Sequence, residues 1–598
     1  MTSIRLIVRY TMRYKWRYLT GFVSLLAASF LVMLPPVVLG RAIDALGEAI
    51  EGTGQVGGWQ LARYGAIILG LALVEGFFRF SARLLVSGTS RRIEYEIRNE
   101  LADRFMRLDQ GFYLRSNTGD LMARCTNDLQ MVRDLLGPTL IDLGRVFTML
   151  GFGFFFLLAV NAKLALISFA YFPFVAVVIS SFGTVVERKY REVQDQFGVL
   201  STHVQENISG MRTVKAYAQE DAEIHSFGRK NREMMRRSMS WAYYTAALFP
   251  LMFVATGAST ILLLWFGGKD VVAGHISLGE FVQFNAYLII LANPLMSLGW
   301  SVTALQQGTA SMKRIGEVLG AEPVVTDPAE PVQLEAIHGD VAFRDVTFGY
   351  GGETVLRNIT IEIPAGKTVA LVGGTGAGKT TLVNLLVRLH DPDEGAVTLD
   401  GVDVRTLSLS QLRGAVGFVP QETFLFSDPL SENVAFGVEG ASPEALDYAI
   451  TTSQLSNDLV QLTHGLDTII GERGVTLSGG QKQRTALARA VIKDPPVLIL
   501  DDALSHVDTH TEEEILRRLR EFMKDRTTIL IAHRTSTITS ADYIYVLDGG
   551  RVAEQGTHTN LLAGDGLYAR FYRRQLLVEQ IEEDEGEPAD ALDPEVLR

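Results

Sequence analysis

A single cysteine, Cys125, occurs in 598 residues, which excludes an intramolecular disulfide and fits a reducing compartment. A lone cysteine is ordinarily inert, and Cys125 is assigned no chemical role. The chain also lacks an excess of positive charge. Its 55 Lys and Arg stand against 68 Asp and Glu, a formal charge of −13, so nucleic acid is not expected among its partners. Part of that negative charge lies in "VEQIEEDEGEPADALDPE" near the C-terminus, expected to be solvated and partly disordered. Beyond about residue 305 no apolar run of transmembrane length occurs, although 47% of the chain is hydrophobic. The first half therefore holds the long apolar runs, and the second half reads as a soluble α/β protein.

Six segments have the length and apolarity to cross a bilayer, near 18–40, 61–86, 138–160, 163–185, 243–267 and 278–302. The stretch before the first, "RLIVRYTMRYKWRY", is rich in Arg and Lys, interleaved with aromatics and free of acids. It reads as an amphipathic elbow helix over 1–17 lying on the inner membrane face, not as a cleavable signal. Charge asymmetry orients the spans. The acidic loop "LGEAIEGTGQVGGWQ" belongs outside, whereas "RRIEYEIRNELADRFMRL" and "ERKYREVQ" belong inside. Both termini are then cytoplasmic, and the chain is expected in the cytoplasmic (inner) membrane of the cell. The internal connections, 87–137 and 186–242, read as cytoplasmic extensions of the membrane helices, turning near 115–120 and 210–221. Glu75 and Arg79, Asp142 and Arg145, and Asn285 and Asn293 are polar groups at membrane depth. They fit either local pairing near the interface or the lining of a substrate cavity.

A linker rich in proline and acids, "GAEPVVTDPAEPVQLE", separates this region from short β-rich runs. The expected divisions are a helical membrane domain over 18–320, a linker over 321–337, an α/β nucleotide-binding domain over 338–577 and an acidic tail over 578–598. "TVALVGGTGAGKTTLVNLL" joins an apolar strand to G-x-x-x-x-G-K-T and a helix. Gly373, Gly374, Gly376 and Gly378 let backbone N–H groups approach phosphates. Lys379 supplies a cation for the β- and γ-phosphates, and Thr380 offers a hydroxyl to Mg²⁺. "PPVLILDD" ends an apolar strand on Asp501, a carboxylate suited to the magnesium side of a P-loop NTPase. "GVTLSGGQKQRTALARA" runs a Ser-Gly-Gly turn into a basic helix. By itself it fits either a glycine turn capped by Ser478 or a second phosphate-binding surface.

Together these motifs resemble an exporter-type half-transporter of the ATP-binding cassette (ABC) superfamily, with the membrane domain fused ahead of the cassette. The resemblance extends to about residue 575. It implies ATP and Mg²⁺ as ligands, with Walker A at Gly373, Gly374, Thr375, Gly376, Ala377, Gly378, Lys379, Thr380 and Thr381. It implies the Q-loop glutamine at Gln421 and the signature at Leu477, Ser478, Gly479, Gly480 and Gln481. Asp501 would end Walker B, Ser505 to Asp508 would form the D-loop, and His533 would be the switch histidine. Tyr350 would stack on adenine, Thr380, Gln421 and Asp501 would face the metal, and "GERG" at 471–474 matches an exporter-specific loop. "GDLMARCTNDLQMV" and "ENISGMRTVKAYAQE" resemble the two loops that carry coupling helices. By the same resemblance two such chains share two ATP sites, each made from one chain's Walker motifs and the other's signature.

Active members carry glutamate directly after the Walker B aspartate, where this chain has Asp502, and Ala-Leu in the D-loop, where it has His506 and Val507. Asp502 is one methylene shorter, and a misplacement of about 1 Å can cost roughly a hundredfold in rate. The signature LSGGQ is intact. This combination resembles one subunit of a heterodimer with unequal sites, exporting a hydrophobic or amphipathic substrate such as a drug, lipid or peptide. The alternatives are a homodimer in which Asp502 is the working base, and an ATP-gated channel or regulatory subunit. The fifth apolar segment carries almost no polar line of the kind a channel needs.

Overall fold

The computed structural model describes residues 3–50, 57–460, 462–471, 477–504, 509–532 and 534–586. Two compact units emerge, one formed by Met1–Arg107 with Asn117–Ala321, the other by Leu108–Ser116 with Glu322–Arg598.

The first unit is helical. Helix α1 (Ser3–Arg13) buries Leu6 and Tyr10 and exposes Ile4, Val8 and Met12, the two-faced pattern of a helix lying along an interface. The Tyr10 hydroxyl donates to Glu100 Oε2 at 2.6 Å. Helices α2 (Lys15–Leu31) and α3 (Leu34–Ile50) are separated by a break at Val32 and Met33. Pro35 and Pro36 follow in the first turn of α3, where a missing N–H costs no helical bond. The Tyr287 hydroxyl donates to the Met33 carbonyl at 2.9 Å, closing the break from another helix.

Helix α4 (Gly58–Arg107) has 50 residues. At 1.5 Å per residue it is about 75 Å long, far more than the roughly 30 Å that a hydrocarbon core requires. Then come α5 (Gln110–Arg115) and α6 (Thr118–Ala123), followed by a π-helical turn, Arg124–Asp128. Next are α7 (Leu129–Asp134), a second π turn at Leu135–Thr139 and α8 (Leu140–Val160). Helices α9 (Ala162–Ser209), α10 (Met211–Ala216), α11 (Glu220–Val272) and α12 (Leu278–Leu319) complete the unit.

Among the described residues, Lys15–Ile50, Gly58–Arg107, Thr118–Val160 and Leu278–Leu319 are long and apolar enough to span a bilayer. The expected spans at 163–185 and 243–267 lie in α9 and α11, partly over side chains outside the described set, among them those of 168–180. Helices α3 and α12 meet closely at the far end, where a Cβ on Gly279 would lie 2.1 Å from the Gly40 carbonyl oxygen. Asp44 accepts there from Ser277 Oγ and Gly279 N, both at 2.7 Å.

The second unit contains two sheets. Strands β1 (Val341–Tyr350), β2 (Glu353–Ile363), β4 (Glu394–Leu399) and β5 (Val402–Asp403) form an antiparallel sheet ordered β2-β1-β4-β5. The larger sheet is ordered β10-β9-β3-β8-β7-β6, from β3 (Thr368–Gly373), β6 (Val416–Val419), β7 (Val497–Asp501), β8 (Thr527–Ile531), β9 (Tyr543–Asp548) and β10 (Arg551–Gly556). It is parallel except at the β9–β10 edge. Strands β3, β7 and β8 are buried almost throughout, which explains their continuous apolar runs.

The segment Leu108–Ser116, assigned from sequence to the membrane domain, groups with this second unit. Asp109 accounts for it: one oxygen caps α5 through Phe112 N at 2.9 Å and the other accepts from Val324 N at 2.5 Å. The tail expected from 578 onward continues the C-terminal helix Leu567–Gly586 as far as Gly586. Residues 587–598 lie outside the described set.

Candidate nucleotide site

Ligands of parallel α/β sheets bind beyond the carboxyl ends of the strands. Here β3 leads into Gly373–Gly378 and β7 ends on Asp501, with β8 between them. The loop closes on helix α13 (Lys379–Leu386) through Gly378, at φ +97°. A Cβ at Gly378 would lie 2.5 Å from a Leu356 methyl, so both conformation and packing demand glycine.

Lys379 is 7% exposed. Its Nζ donates to the carbonyl oxygens of Gly373 and Gly374 at 2.8 and 2.9 Å. Burial pulls its pKa down, and the carboxylates of Asp501 and Asp502 pull it back up. Asp501 is 1% exposed, and its Oδ2 has no hydrogen-bond partner. Burial pushes its carboxyl above the ordinary range; the Thr380 hydroxyl lowers it, Asp502 raises it further and Lys379 opposes. A buried, unpartnered carboxylate oxygen beside a hydroxyl is a hard-oxygen donor set that fits Mg²⁺. Thr380 and Asp501 are therefore the residues here able to hold that ion.

Asp502 follows with φ +49°, in the left-handed region that Asp tolerates better than most residues. Its N–H donates to the Ile531 carbonyl at 2.8 Å. The structure thus gathers the phosphate loop, Lys379, Thr380, Asp501 and Asp502. Gln421 lies two residues beyond β6 and is exposed, with no hydrogen bond to that group among the described residues. Tyr350 ends β1, with Phe348 and His390 rings at 4.9 and 5.3 Å from its own. His533, Ser505 and Asp508 fall outside the described residues, as do 472–474 of the exporter-specific loop.

Ser478 and Gln481 open the helix Gly479–Val491 with a capping box. Ser478 Oγ accepts from Gln481 N at 3.2 Å, and Gln481 Oε1 accepts from Ser478 N at 3.0 Å. Leu477 is buried at its base, and Gly479 and Gly480 begin the first turn. Asp458 was not found from sequence. It takes two hydrogen bonds from Arg484, at 2.7 and 2.8 Å, and one from Gln481 at 3.3 Å, so it fixes the orientation of this helix. A lone Asp in the four-residue helix Ser456–Leu459 carries no motif that would reveal it. His390 was also missed, since "RLHDPDEG" gives no sign of contact with Tyr350.

Residues 18–295 match the family model for the ABC transporter transmembrane region, and residues 356–505 match that for ABC transporter. A probable multidrug resistance ABC transporter ATP-binding/permease protein of Bacillus subtilis is 36% identical over 574 residues, 94% of this chain and 96% of that protein. An ATP-dependent lipid A-core flippase of Desulfotalea psychrophila is 34% identical over 85% of this chain and 89% of its own length. The solved structure of a bacterial Atm1-family ABC exporter with ATP bound superposes with a TM-score of 0.75. It is 28% identical and covers 95% of this chain and 99% of that one.

Proposed function

We propose, for a chain that belongs to the ABC transporter family and fuses its membrane region to its ATPase, the role of one subunit of a heterodimeric exporter. The general activity is ATP hydrolysis coupled to export across a membrane. The finer reading rests on one observation: the acid after Asp501 is Asp502, while Ser478 to Gln481 keep a complete capping box.

The loop N–H groups and Lys379 bind the ATP phosphates, with Gly374, Thr375, Gly376, Ala377 and Thr381 shaping the cradle and Tyr350 stacking on the base. Thr380 and Asp501, with Gln421 by the family resemblance, would hold Mg²⁺, which would supply neutralisation of the phosphate charge. Asp502 orients the attacking water as general base, with His533 and Gln421 completing the polar surroundings and Ser505 and Asp508 meeting the partner. A carboxylate one methylene short holds that water poorly, so this chain's own site hydrolyses slowly. Its signature, presented on a helix N-terminus, completes the faster site on a partner that carries glutamate. The substrate is hydrophobic or amphipathic, a drug, lipid or peptide; relatives named for multidrug resistance and for lipid A-core flipping support the first two. The assembly lies in the cytoplasmic membrane with the ATPase inside.

A homodimer is the second reading, favoured by the carboxylate that Asp502 still places near Lys379. Phosphate release by the purified chain separates the two. Little turnover alone, rising when the co-purified partner is added, supports the heterodimer. Robust turnover alone, abolished by Asp502→Asn, supports the homodimer.

A further inference from the structure

The backbone passes between the two units at three places, 107/108, 116/117 and 321/322. The helical residues flanking these crossings are bound to one another. On the way in, Arg104 Nη2 donates to the Leu319 carbonyl at 3.0 Å, joining α4 to the last turn of α12. On the way back, Arg124 Nη1 donates to the Arg314 carbonyl at 2.7 Å and lies 3.3 Å from Glu317. Arg314 returns the contact, bonding Asp120 and lying 3.1 Å from Asp128 Oδ2. Ser311 Oγ donates to Asp128 Oδ1 at 2.8 Å, a buried bond.

Arg124 and Asp128 are the two ends of the first π turn. π turns are rare, are less favourable than the α-helix they interrupt, and occur preferentially at functional positions. Below this point α12 approaches closely, since a Cβ on Gly308 would lie 2.5 Å from Leu135 and 3.0 Å from the Met131 carbonyl. The clamp is polar where packing alone would have held two helices, and Asp128 is 6% exposed. Burying a carboxylate is unfavourable unless it is paired, so the pairing with Arg314 confines Asp128 and α12 to one relative position.

We propose that Arg314, bridging Asp120 and Asp128, is a positioning residue that makes the crossings at 116/117 and 321/322 move as one body. Through it, a nucleotide-driven displacement of the ATPase reaches the membrane helices. Arg314 belongs to the helical unit, whereas the phosphate loop belongs to the other. Without it, α12 and the segment after α5 shift independently, and nucleotide binding no longer changes the far ends of the helices.

The test is amide hydrogen exchange on the transporter purified from its membranes and held in lipid nanodiscs, with and without Mg-AMP-PNP. The readout is the peptide covering 268–277, between α11 and α12. The wild type should change its exchange rate there about fivefold on nucleotide binding. Arg314→Gln should reduce that change to less than about twofold while nucleotide affinity, measured separately, stays within about threefold. Arg314→Lys, which keeps the charge, should restore part of the response. Asp120→Asn, at a half-exposed position, repeats the test where Arg314→Gln fails to assemble. An undiminished response in these variants, an equal loss of affinity and response, or a wild type with no response at 268–277 would each overturn the proposal.

Discussion

Lys379 Nζ donates to the Gly373 carbonyl at 2.8 Å, so the cation of the phosphate loop lies folded back on the strand end from which the loop springs. The buried ammonium is held by two carbonyl dipoles and by the field of Asp501 and Asp502. ATP phosphates would replace those carbonyls as its partners.

Lys379→Ala should therefore weaken ATP binding. Hydrogen bonds to charged groups contribute about 1.5–3 kcal/mol, which corresponds to roughly a 10- to 100-fold loss of affinity. Photo-labelling of the purified chain with an azido-ATP analogue measures it, and unchanged labelling would count against the assignment.

Asp502→Glu should raise ATP turnover by the purified chain, by up to about a hundredfold if the missing length is the whole defect. The left-handed backbone at φ +49° suits Glu less well than Asp, so a stability loss of about 1 kcal/mol is expected alongside. An unchanged rate in a folded Asp502→Glu protein would remove the main support for unequal sites.

Ser478 has two roles that substitution can separate. Ser478→Gly should cost only a few tenths of a kcal/mol in helix capping, and Ser478→Arg should abolish hydrolysis by the assembled transporter. Near-normal hydrolysis by Ser478→Arg would refute the placement of the signature over a partner's ATP.

His390 should make the protein acid-sensitive. Burial holds its imidazole below the ordinary value, with Asp109 and Asp391 pulling upward. The unfolded chain takes up that proton near the ordinary pKa of about 6.5, before the folded chain does. This residue therefore costs nothing above that pH, and stability falls as pH drops from there to the depressed folded value. His390→Phe keeps a ring against Phe348 and Tyr350 while removing the titration. Its melting temperature should fall less than that of the wild type between pH 7.5 and 5.5, and equal losses would contradict the placement.

Gly279→Ala should be poorly tolerated although alanine favours helices. Its Cβ would meet the Gly40 carbonyl oxygen at 2.1 Å, forcing α3 and α12 apart at a cost of about 1–3 kcal/mol. Thermal unfolding in detergent should show the loss, whereas Gly257→Ala, with open space at its Cβ, should be near neutral.

Apolar run length and the glycine, lysine and aspartate spacing around 373–381 and 495–502 were enough to separate a membrane half from a P-loop half. Those signals are local, because a phosphate loop needs its glycines at fixed positions within a few residues and a span needs uninterrupted apolarity. The break at Val32 and Met33 is half legible: Pro35 and Pro36 announce it, but not the Tyr287 hydroxyl that satisfies it. That Leu108–Ser116 groups with the second unit is not legible locally, because the Asp109–Val324 bond spans 215 positions.

By itself, the sequence determined the two-part architecture, the nucleotide motifs and the shortened acid at 502, all properties of residues adjacent in the chain. Only the tertiary structure decided that Asp458 steadies the helix opened by Ser478, that His390 packs on Tyr350, and that Arg314 joins Asp120 to Asp128. Each depends on side chains brought together by packing of distant helices and strands, and no spacing along the chain encodes such a meeting.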